Sequence, residues 1–133
     1  MRKIRNNVWE SNSSSSHSLT IGDNACKLVD DTVLGIELGY GEYGWGYEEL
    51  VNWESKADYL AVEAVKDNYK MDMLDEALKL RFPNIEITYA NEDSRGYIDH
   101  QSYGEVWNEL DSVEDVYNVI FGSSIVVIDN DNG

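Results

Sequence analysis

Apolar residues in the middle of the chain recur at the three-and-four spacing of helices that bury one face. Ser55 and Asp58 predict the start of a first helix, because a serine cap with an acid three residues later satisfies free backbone N–H groups. Its apolar positions are Ala57, Leu60, Ala61, Ala64 and Val65. A second helix is predicted from about Asp72, and it must end before Pro83 because the ring disfavours helix at the preceding residue. Its inward positions are Leu74, Ala77 and Leu78.

Two further helices are predicted in the last third of the chain. Ser112 and Asp115 form another capping pair, and Gly122 can end the helix that they begin. The apolar stripe of this helix is Val113, Val116, Tyr117 and Ile120. A shorter helix is predicted around residues 105–110.

Short runs of sequence that contain β-branched, aliphatic or aromatic residues predict strands around these helices. The runs are residues 18–21, 33–38, 85–89 and 125–128, and Val8 and Trp9 predict the end of another strand. The last run is unbroken by polar residues, as expected of a strand in the centre of a sheet. We therefore predict an α+β fold, a single domain over residues 1–133 in which a small mixed or antiparallel sheet packs with about three helices.

The charge of the chain is strongly acidic. Its 133 residues carry 26 acidic side chains and ten basic ones, of which Arg2, Lys3 and Arg5 lie at the N-terminal end. A folded chain of this length is roughly 36 Å across by the size scaling of compact domains, and duplex DNA of that length carries about 20 phosphates. The similar charge counts predict repulsion from nucleic acid and attraction to proteins that bind it. A protein whose charge only keeps it soluble is the alternative.

The acids are concentrated in two parts of the chain. Residues 28–55 contain seven acids and no Lys or Arg, and residues 92–115 contain eight acids with Arg95 as their one Lys or Arg. The helical middle instead mixes its acids with bases such as Lys56, Lys66 and Lys70. Because this partition is uneven, it favours a recognition surface over charge that only confers solubility.

Glycine alternates with aromatic residues at 39–47, within the first acidic part. Large aromatic side chains dominate the energetics of many protein interfaces, and they also pack within cores. Packing in the core is therefore the alternative to partner contact for this run. The candidate partner-binding residues are Asp30, Asp31, Glu37, Tyr40, Glu42, Tyr43, Trp45, Glu48 and Glu49.

Both histidines fall in polar, hydroxyl-rich segments. His17 follows four consecutive serines, and His100 lies next to Asp99 and close to Ser102. Two imidazoles, with Asp99 as an orienting carboxylate, could move protons in a small enzyme that acts on a nucleotide or a phosphoester. The alternative is that these side chains satisfy backbone groups in tight loops.

Other classes of protein find little support in the sequence. Cys26 is the only cysteine, so no internal disulfide can form, and no cysteine and histidine cluster has the spacing of a zinc site. No run approaches 18 apolar residues, and the basic start leads into polar Asn6 and Asn7 rather than into the apolar part of a secretory signal. We therefore expect a protein of a reducing cytoplasm, with no cofactor, no metal site and no direct contact with membrane or nucleic acid.

Three phrases span most of the chain: R-N-N-V-W-E-S-N-S-S-S-S-H-S at residues 5–18, Y-I-D-H-Q-S at 97–102 and I-F-G-S-S-I-V-V-I at 120–128. In these phrases the chain resembles a group of small, mostly uncharacterised proteins of bacteriophages and prophages, with Trp9 where the group favours phenylalanine. The resemblance implies a phage origin and a role in the infected cell, and it transfers no catalytic residue. Small acidic phage proteins often inhibit host defences, and anti-CRISPR proteins are among them.

Charge and resemblance together predict an inhibitor of a host defence protein, with an anti-CRISPR activity as the first choice. The expected partner is a host nucleic-acid-binding protein such as a CRISPR effector, whose basic groove the acidic surface would occupy as a DNA mimic. The expected location is the cytoplasm of the infected bacterium. Two alternatives stay open, namely a small enzyme that uses His17 and His100, and a virion accessory protein.

Overall fold

The computed structural model describes residues 16–26, 28–43, 47–64, 67–91, 93–98 and 106–129. The strands are β1 (Ser16–Thr20), β2 (Gly35–Leu38), β3 (Glu42–Tyr43), β4 (Glu48–Leu50), β5 (Glu86–Tyr89), β6 (Tyr97–Ile98) and β7 (Ile125–Asp129). The helices are α1 (Trp53–Glu63), α2 (Asn68–Arg81) and α3 (Val113–Phe121), and a 3₁₀ turn covers Trp107–Glu109. The predicted α+β class is confirmed. None of the helices in the described ranges is long and apolar enough to cross a membrane.

The strands form one small antiparallel sheet and two parallel pairs. The antiparallel sheet has the order β1–β7–β4, so residues 125–128 occupy the predicted central position. β2 pairs with β5, and β3 pairs with β6. Each parallel pair joins segments that are distant in sequence. The strand end predicted at Val8 and Trp9 lies outside the described residues.

Two helices begin earlier than the sequence predicts. The side chain of Asn52 caps α1 by accepting a hydrogen bond from Ser55 N at 2.9 Å, so Ser55 lies inside the helix and its prediction as the cap is wrong. The side chain of Asp67 caps α2 by accepting one from Lys70 N at 3.2 Å. The predicted start near Asp72 is therefore about one turn too late.

The start of α3 and the ends of α2 and α3 agree with the prediction, whereas the segment before α3 differs from it. Ser112 Oγ accepts a hydrogen bond from Asp115 N at 3.2 Å, which confirms the predicted cap of α3. Gly122 follows the last residue of α3, and α2 ends two residues before Pro83. The helix predicted around residues 105–110 is a single 3₁₀ turn.

The helices, β2 and β7 share one hydrophobic core. Leu38 of β2, one leucine or isoleucine from each helix, and Ile128 of β7 are fully or almost fully buried. The three helical residues are Leu60, Leu74 and Ile120. Burial of a side chain of this size contributes about 1.5–3 kcal/mol. The core therefore holds the β2–β5 pair against the helices.

An aromatic cluster joins three helix ends. The ring of Trp53, at the start of α1, lies 4.9 Å from that of Phe82, directly after α2, and 5.7 Å from that of Phe121, at the end of α3. The guanidinium carbon of Arg81 lies 5.0 Å from the centre of the Phe121 ring. The C-terminal ends of α2 and α3 therefore meet the N-terminal end of α1.

Trp107 occupies the opposite end of the helices. Its Nε1 donates a hydrogen bond to the carbonyl oxygen of Leu60 in α1 at 3.1 Å. Lys70 Nζ, in the first turn of α2, lies 5.9 Å from the centre of the Trp107 ring. The start of α2 and the turn that leads toward α3 therefore lie close together.

Candidate functional site

The loop after β2 is held by one carboxylate, that of Asp58 in α1. Asp58 Oδ1 accepts hydrogen bonds from the backbone N–H groups of Gly39 at 2.7 Å and Tyr40 at 3.1 Å. Its Oδ2 accepts one from Gly41 N at 3.0 Å and one from the Tyr43 hydroxyl at 2.6 Å. Hydrogen bonds to an ionised acceptor are stronger than bonds between neutral groups. These four bonds therefore fix the connection between β2 and β3.

Three glycines allow this loop to approach its neighbours. Gly39 has a φ of 92°, a left-handed conformation that favours glycine. A Cβ at Gly41 would collide with the carboxylate of Asp58, and a Cβ at Gly96 would collide with the carbonyl group of Gly41. Gly96 N donates a hydrogen bond to the carbonyl oxygen of Gly39 at 2.5 Å. The first glycines of the glycine and aromatic run thus serve the geometry of the loop.

Tyr43 is part of the core. Its side chain is 8% exposed, and its ring packs edge-on against Tyr59 with a centroid distance of 5.2 Å. Burial raises the pKa of Tyr43, and the hydrogen bond to the Asp58 carboxylate raises it further. Tyr43 is therefore not accessible to a partner in this structure. The alternative interpretation of the aromatic run, packing in the core, is the correct one for this residue.

Two other tyrosines of the same segment face solvent. Tyr40 and Tyr47 are 42% and 59% exposed. The Tyr47 hydroxyl donates a hydrogen bond to Glu49 Oε2 at 2.5 Å, which joins an aromatic ring to one of the candidate acids. Trp45, another candidate partner-binding residue, lies outside the described residues. The aromatic residues of the run thus divide between core and surface.

The six candidate acids also differ in environment. Asp31, Glu37, Glu42 and Glu49 are exposed, whereas Asp30 and Glu48 are half-buried. The hydroxyl and the backbone N–H of Thr32 both donate hydrogen bonds to Asp30 Oδ1, at 2.5 and 2.8 Å, and they lower the pKa of Asp30. The negative charge of Glu48 also raises the pKa of Tyr43.

Glu37 and Glu86 share the solvent-facing side of the β2–β5 pair. The residues on this side of both strands are exposed, and those on the other side are half-buried or buried. The register places the two acids diagonally, with Cα atoms roughly 8 Å apart by strand geometry. We call Glu37, Glu86 and the exposed Tyr40 and Glu42 that follow β2 the acidic strip. Neither residues 28–55 nor residues 82–94 contain Lys or Arg.

A second group of acids lies at the N-terminal ends of α2 and α3. Asp67 caps α2, and Asp115 Oδ2 accepts a hydrogen bond from Asp111 N at 2.9 Å. Glu114, in the first turn of α3, is exposed. Negative charge is stabilising at a helix N-terminus because it complements the helix dipole. Acids at these helix starts, including Glu114 and Asp115 of the second acidic part of the chain, residues 92–115, therefore contribute to helix stability.

The proposed pair of histidines falls mostly outside the described residues. His17 lies in β1, where its backbone pairs with Ile128 of β7. Asp99, His100 and Ser102 are not among the residues that the structure describes. Joint action of the two histidines stays a prediction. The part of the chain that is described contains no group of three His, Cys, Asp or Glu side chains that could hold a metal ion.

Sequence reasoning missed the roles of two polar residues in α1, Lys56 and Asp58. Lys56 is fully buried, and its Nζ donates hydrogen bonds to the carbonyl oxygens of Ser124 at 2.9 Å and Gly122 at 3.3 Å. Burial lowers the pKa of Lys56 to about 8. Both residues flank the apolar Ala57, and this position is the only sign in the sequence that they lie near the core. Their hydrogen-bond partners could not be predicted, because these partners are distant in the chain.

A small pocket lies beside the loop that Asp58 fixes. Apolar residues of β2, α1, α2 and β5 line it together with Gly39 and Arg95. Its volume is about 210 Å³ including space open to solvent, and small-molecule sites are commonly about 300–1,000 Å³. This pocket therefore gives no support to a small-molecule substrate.

Comparisons of the chain with models of known families, with curated proteins and with solved structures found no match. A function must therefore be inferred from the residues of this chain. The exposed acids of the acidic strip lie on the paired strands β2 and β5 and at the end of the loop that Asp58 fixes.

Proposed function

We propose that this protein inhibits a nucleic-acid-binding protein by occupying its basic groove with the acidic strip. The observation that supports the proposal is that exposed Glu37 and Glu86 share one side of the β2–β5 pair, and that exposed Glu42 of β3 follows the loop that Asp58 fixes with four hydrogen bonds. A surface that is ordered before binding loses less conformational freedom when the complex forms. The strip is thus suited to compete with an extended polyanion.

The carboxylates of the strip would take the places of phosphate oxygens in the groove. Arg and Lys bind carboxylates and phosphates through the same charge-assisted hydrogen bonds, and Arg often forms two at once. The net charge of −16 would attract a basic groove and raise the association rate at low salt. Tyr40 would add an aromatic contact next to these charges. Nucleic acid would then be excluded by competition.

The target that we propose to test first is a CRISPR effector of a bacterial host. This choice combines the acidic strip with the resemblance of residues 5–18, 97–102 and 120–128 to proteins of bacteriophages and prophages. The role would place the protein in the cytoplasm of the infected cell. An effector of this kind holds nucleic acid in a positively charged channel, which is the chemistry that the strip complements.

A competition assay tests the proposal. Purified effector with its guide RNA is mixed with labelled target DNA and increasing amounts of the protein, and the fraction of bound DNA is measured. The variant E37Q/E42Q/E86Q should raise the half-inhibitory concentration about tenfold, since exposed ion pairs contribute roughly 0.2–1 kcal/mol each.

The matched control is D72N/E109Q/D111N, which removes the same charge from exposed acids outside the strip. It should change the half-inhibitory concentration less than about twofold, allowing for the general loss of net charge. Equal effects of the two triple variants would reject the strip as the binding surface. No inhibition by the unmodified protein would reject this effector as the target.

The enzyme alternative is separated in the same assay. The variant H17A/H100A should inhibit as strongly as the unmodified protein, because the proposed contact uses carboxylates rather than imidazoles. Loss of inhibition in H17A/H100A, together with full inhibition by E37Q/E42Q/E86Q, would favour an enzyme. Co-purification with virus particles rather than with the effector would favour a virion accessory protein.

A further inference from the structure

Four large apolar side chains are exposed near the start of the β2–β5 pair. Leu28, Val29 and Leu34 are 61%, 65% and 63% exposed, and Leu80 near the end of α2 is 52% exposed. We call these four residues the apolar patch. Single exposed apolar residues are common, but a group of them with polar residues around it marks an interaction site in many proteins.

Backbone hydrogen bonds bring the apolar patch together. Asp30 N donates to the carbonyl oxygen of Arg81 at 2.7 Å, so the two patch residues before Asp30 run beside the end of α2 and its Leu80. Glu86 N donates to the carbonyl oxygen of Leu34 at 3.0 Å. The second bond places the backbone of Leu34 beside that of Glu86, an acid of the acidic strip. The patch and the strip therefore lie on neighbouring chain segments.

Three exposed acids belong to the chain segments that carry the apolar patch. Asp31 lies between its two chain segments in sequence, Glu86 lies beside Leu34, and Glu76 lies one turn before Leu80 on α2. Apolar side chains bordered by acids complement a partner whose apolar side chains are bordered by bases.

The described bases near the patch are engaged in other contacts. The guanidinium of Arg81 lies over the ring of Phe121, 5.0 Å from its centre. Lys79 Nζ lies 3.0 Å from Asp75 Oδ2. Lys27 precedes the patch in sequence and lies outside the described residues. Among the described charged residues of these segments, Asp31, Glu76 and Glu86 are exposed, whereas Arg81 is half-buried and Lys79 is paired with Asp75.

We infer that the apolar patch docks a segment of the partner protein in which apolar side chains are flanked by Lys and Arg. The inference rests on the proposed function and adds an apolar contact to the electrostatic one. Charge decides between the possible occupants. A second copy of this chain would bring its own net charge of −16 against the carboxylates around the patch, whereas a basic segment is attracted to them.

Two synthetic peptides test the docking site on the full chain. One is a short helix-forming peptide of Lys and Leu with the leucines on one face, and the other has the same length and charge with Ser in place of Leu. Binding is measured by fluorescence anisotropy at physiological salt. The Leu peptide should bind about tenfold more tightly than the Ser peptide, and this ratio should fall close to one in L34S/L80S.

The matched control is I21S/V51S, which changes two apolar residues that are 67% and 59% exposed outside the patch. It should keep the preference for the Leu peptide. Circular dichroism checks that each variant is folded, and L28S/V29S replaces L34S/L80S if the latter does not fold. Equal binding of the two peptides, or an unchanged preference in the patch variant, rejects the docking site.

Analytical ultracentrifugation completes the test. A dimer that the patch variant abolishes would assign the patch to a second copy of the chain and overturn the inference. Failure of the docking site can be distinguished from failure of the proposed function. A patch-dependent peptide preference without any DNA competition would refute the inhibitor role alone, and DNA competition without peptide preference would refute the docking site alone.

Discussion

Asp58 is the residue on which the loop of the acidic strip depends. Its two oxygens receive three backbone N–H groups and one phenol hydroxyl, and all four donors belong to residues 39–43. Without these bonds the donors would need water or other partners. An unsatisfied buried donor costs about 1–3 kcal/mol, so the loop conformation and the burial of Tyr43 depend on this carboxylate.

We expect Asp58→Asn to lower the free energy of unfolding by about 2 kcal/mol, because the amide has one acceptor oxygen in place of two and carries no charge. Urea denaturation followed by tryptophan fluorescence measures the change. The exposed Asp72→Asn is the control and should change stability by less than about 0.5 kcal/mol. A loss of stability no larger than that of the control would show that the four bonds do not hold the loop.

Lys56 makes stability depend on pH in an unusual direction. Burial lowers its pKa to about 8, whereas the lysine of an unfolded chain titrates near 10.4. Between these values the folded protein binds fewer protons than the unfolded one. The contribution of Lys56 to stability therefore rises as pH increases through this window, and it is lost as pH falls through the pKa of the folded state.

We expect the unmodified protein to gain on the order of 1 kcal/mol relative to Lys56→Met between pH 7.5 and pH 9.5. The comparison with the variant cancels other groups, including Tyr43 and Tyr89, whose pKa values burial raises. Urea denaturation at the two pH values measures the difference. Parallel pH dependences of the two proteins would contradict a buried lysine with a lowered pKa.

At the scale of elements, the sequence predicts what is encoded locally. The apolar stripe of α3, its cap at Ser112 and the stop before Pro83 each depend on residues within a few positions of each other. The apolar stripes predict starts of α1 and α2 that are too late, because Asn52 and Asp67, the actual caps, precede these stripes by several residues. The pairing of β2 with β5 could not be predicted, since about fifty residues separate the strands.

The corrected start of α1 predicts different effects at two polar positions. Asn52→Ala should lower the free energy of unfolding by about 1 kcal/mol, because it removes the acceptor for Ser55 N. Ser55→Ala should change it by less than about 0.5 kcal/mol, since alanine is a better helix former inside a helix. Thermal unfolding of both variants measures the two changes. The reverse order would restore Ser55 as the cap.

At the scale of the whole molecule, the candidate surface was only partly predictable. Four of the six candidate acids are exposed, but no pattern in the sequence could show that Glu86 of β5 would stand next to Glu37 of β2. Nor could it show that Tyr43 would turn inward to reach Asp58. Composition indicates that a surface is acidic, whereas long-range pairing decides which acids share a face.

Salt should act on folding and on binding in opposite directions. The net charge of −16 makes the folded chain repel itself, so a rise from about 0.1 M to about 1 M NaCl, which shortens the Debye length from roughly 10 Å to roughly 3 Å, should raise the midpoint of thermal unfolding. The same rise should weaken inhibition of the effector, because contacts between the strip and the groove are exposed charge pairs. The variant E37Q/E42Q/E86Q should show a shallower salt dependence of inhibition than D72N/E109Q/D111N. Inhibition that does not change with salt would contradict mimicry of nucleic acid, whatever its strength.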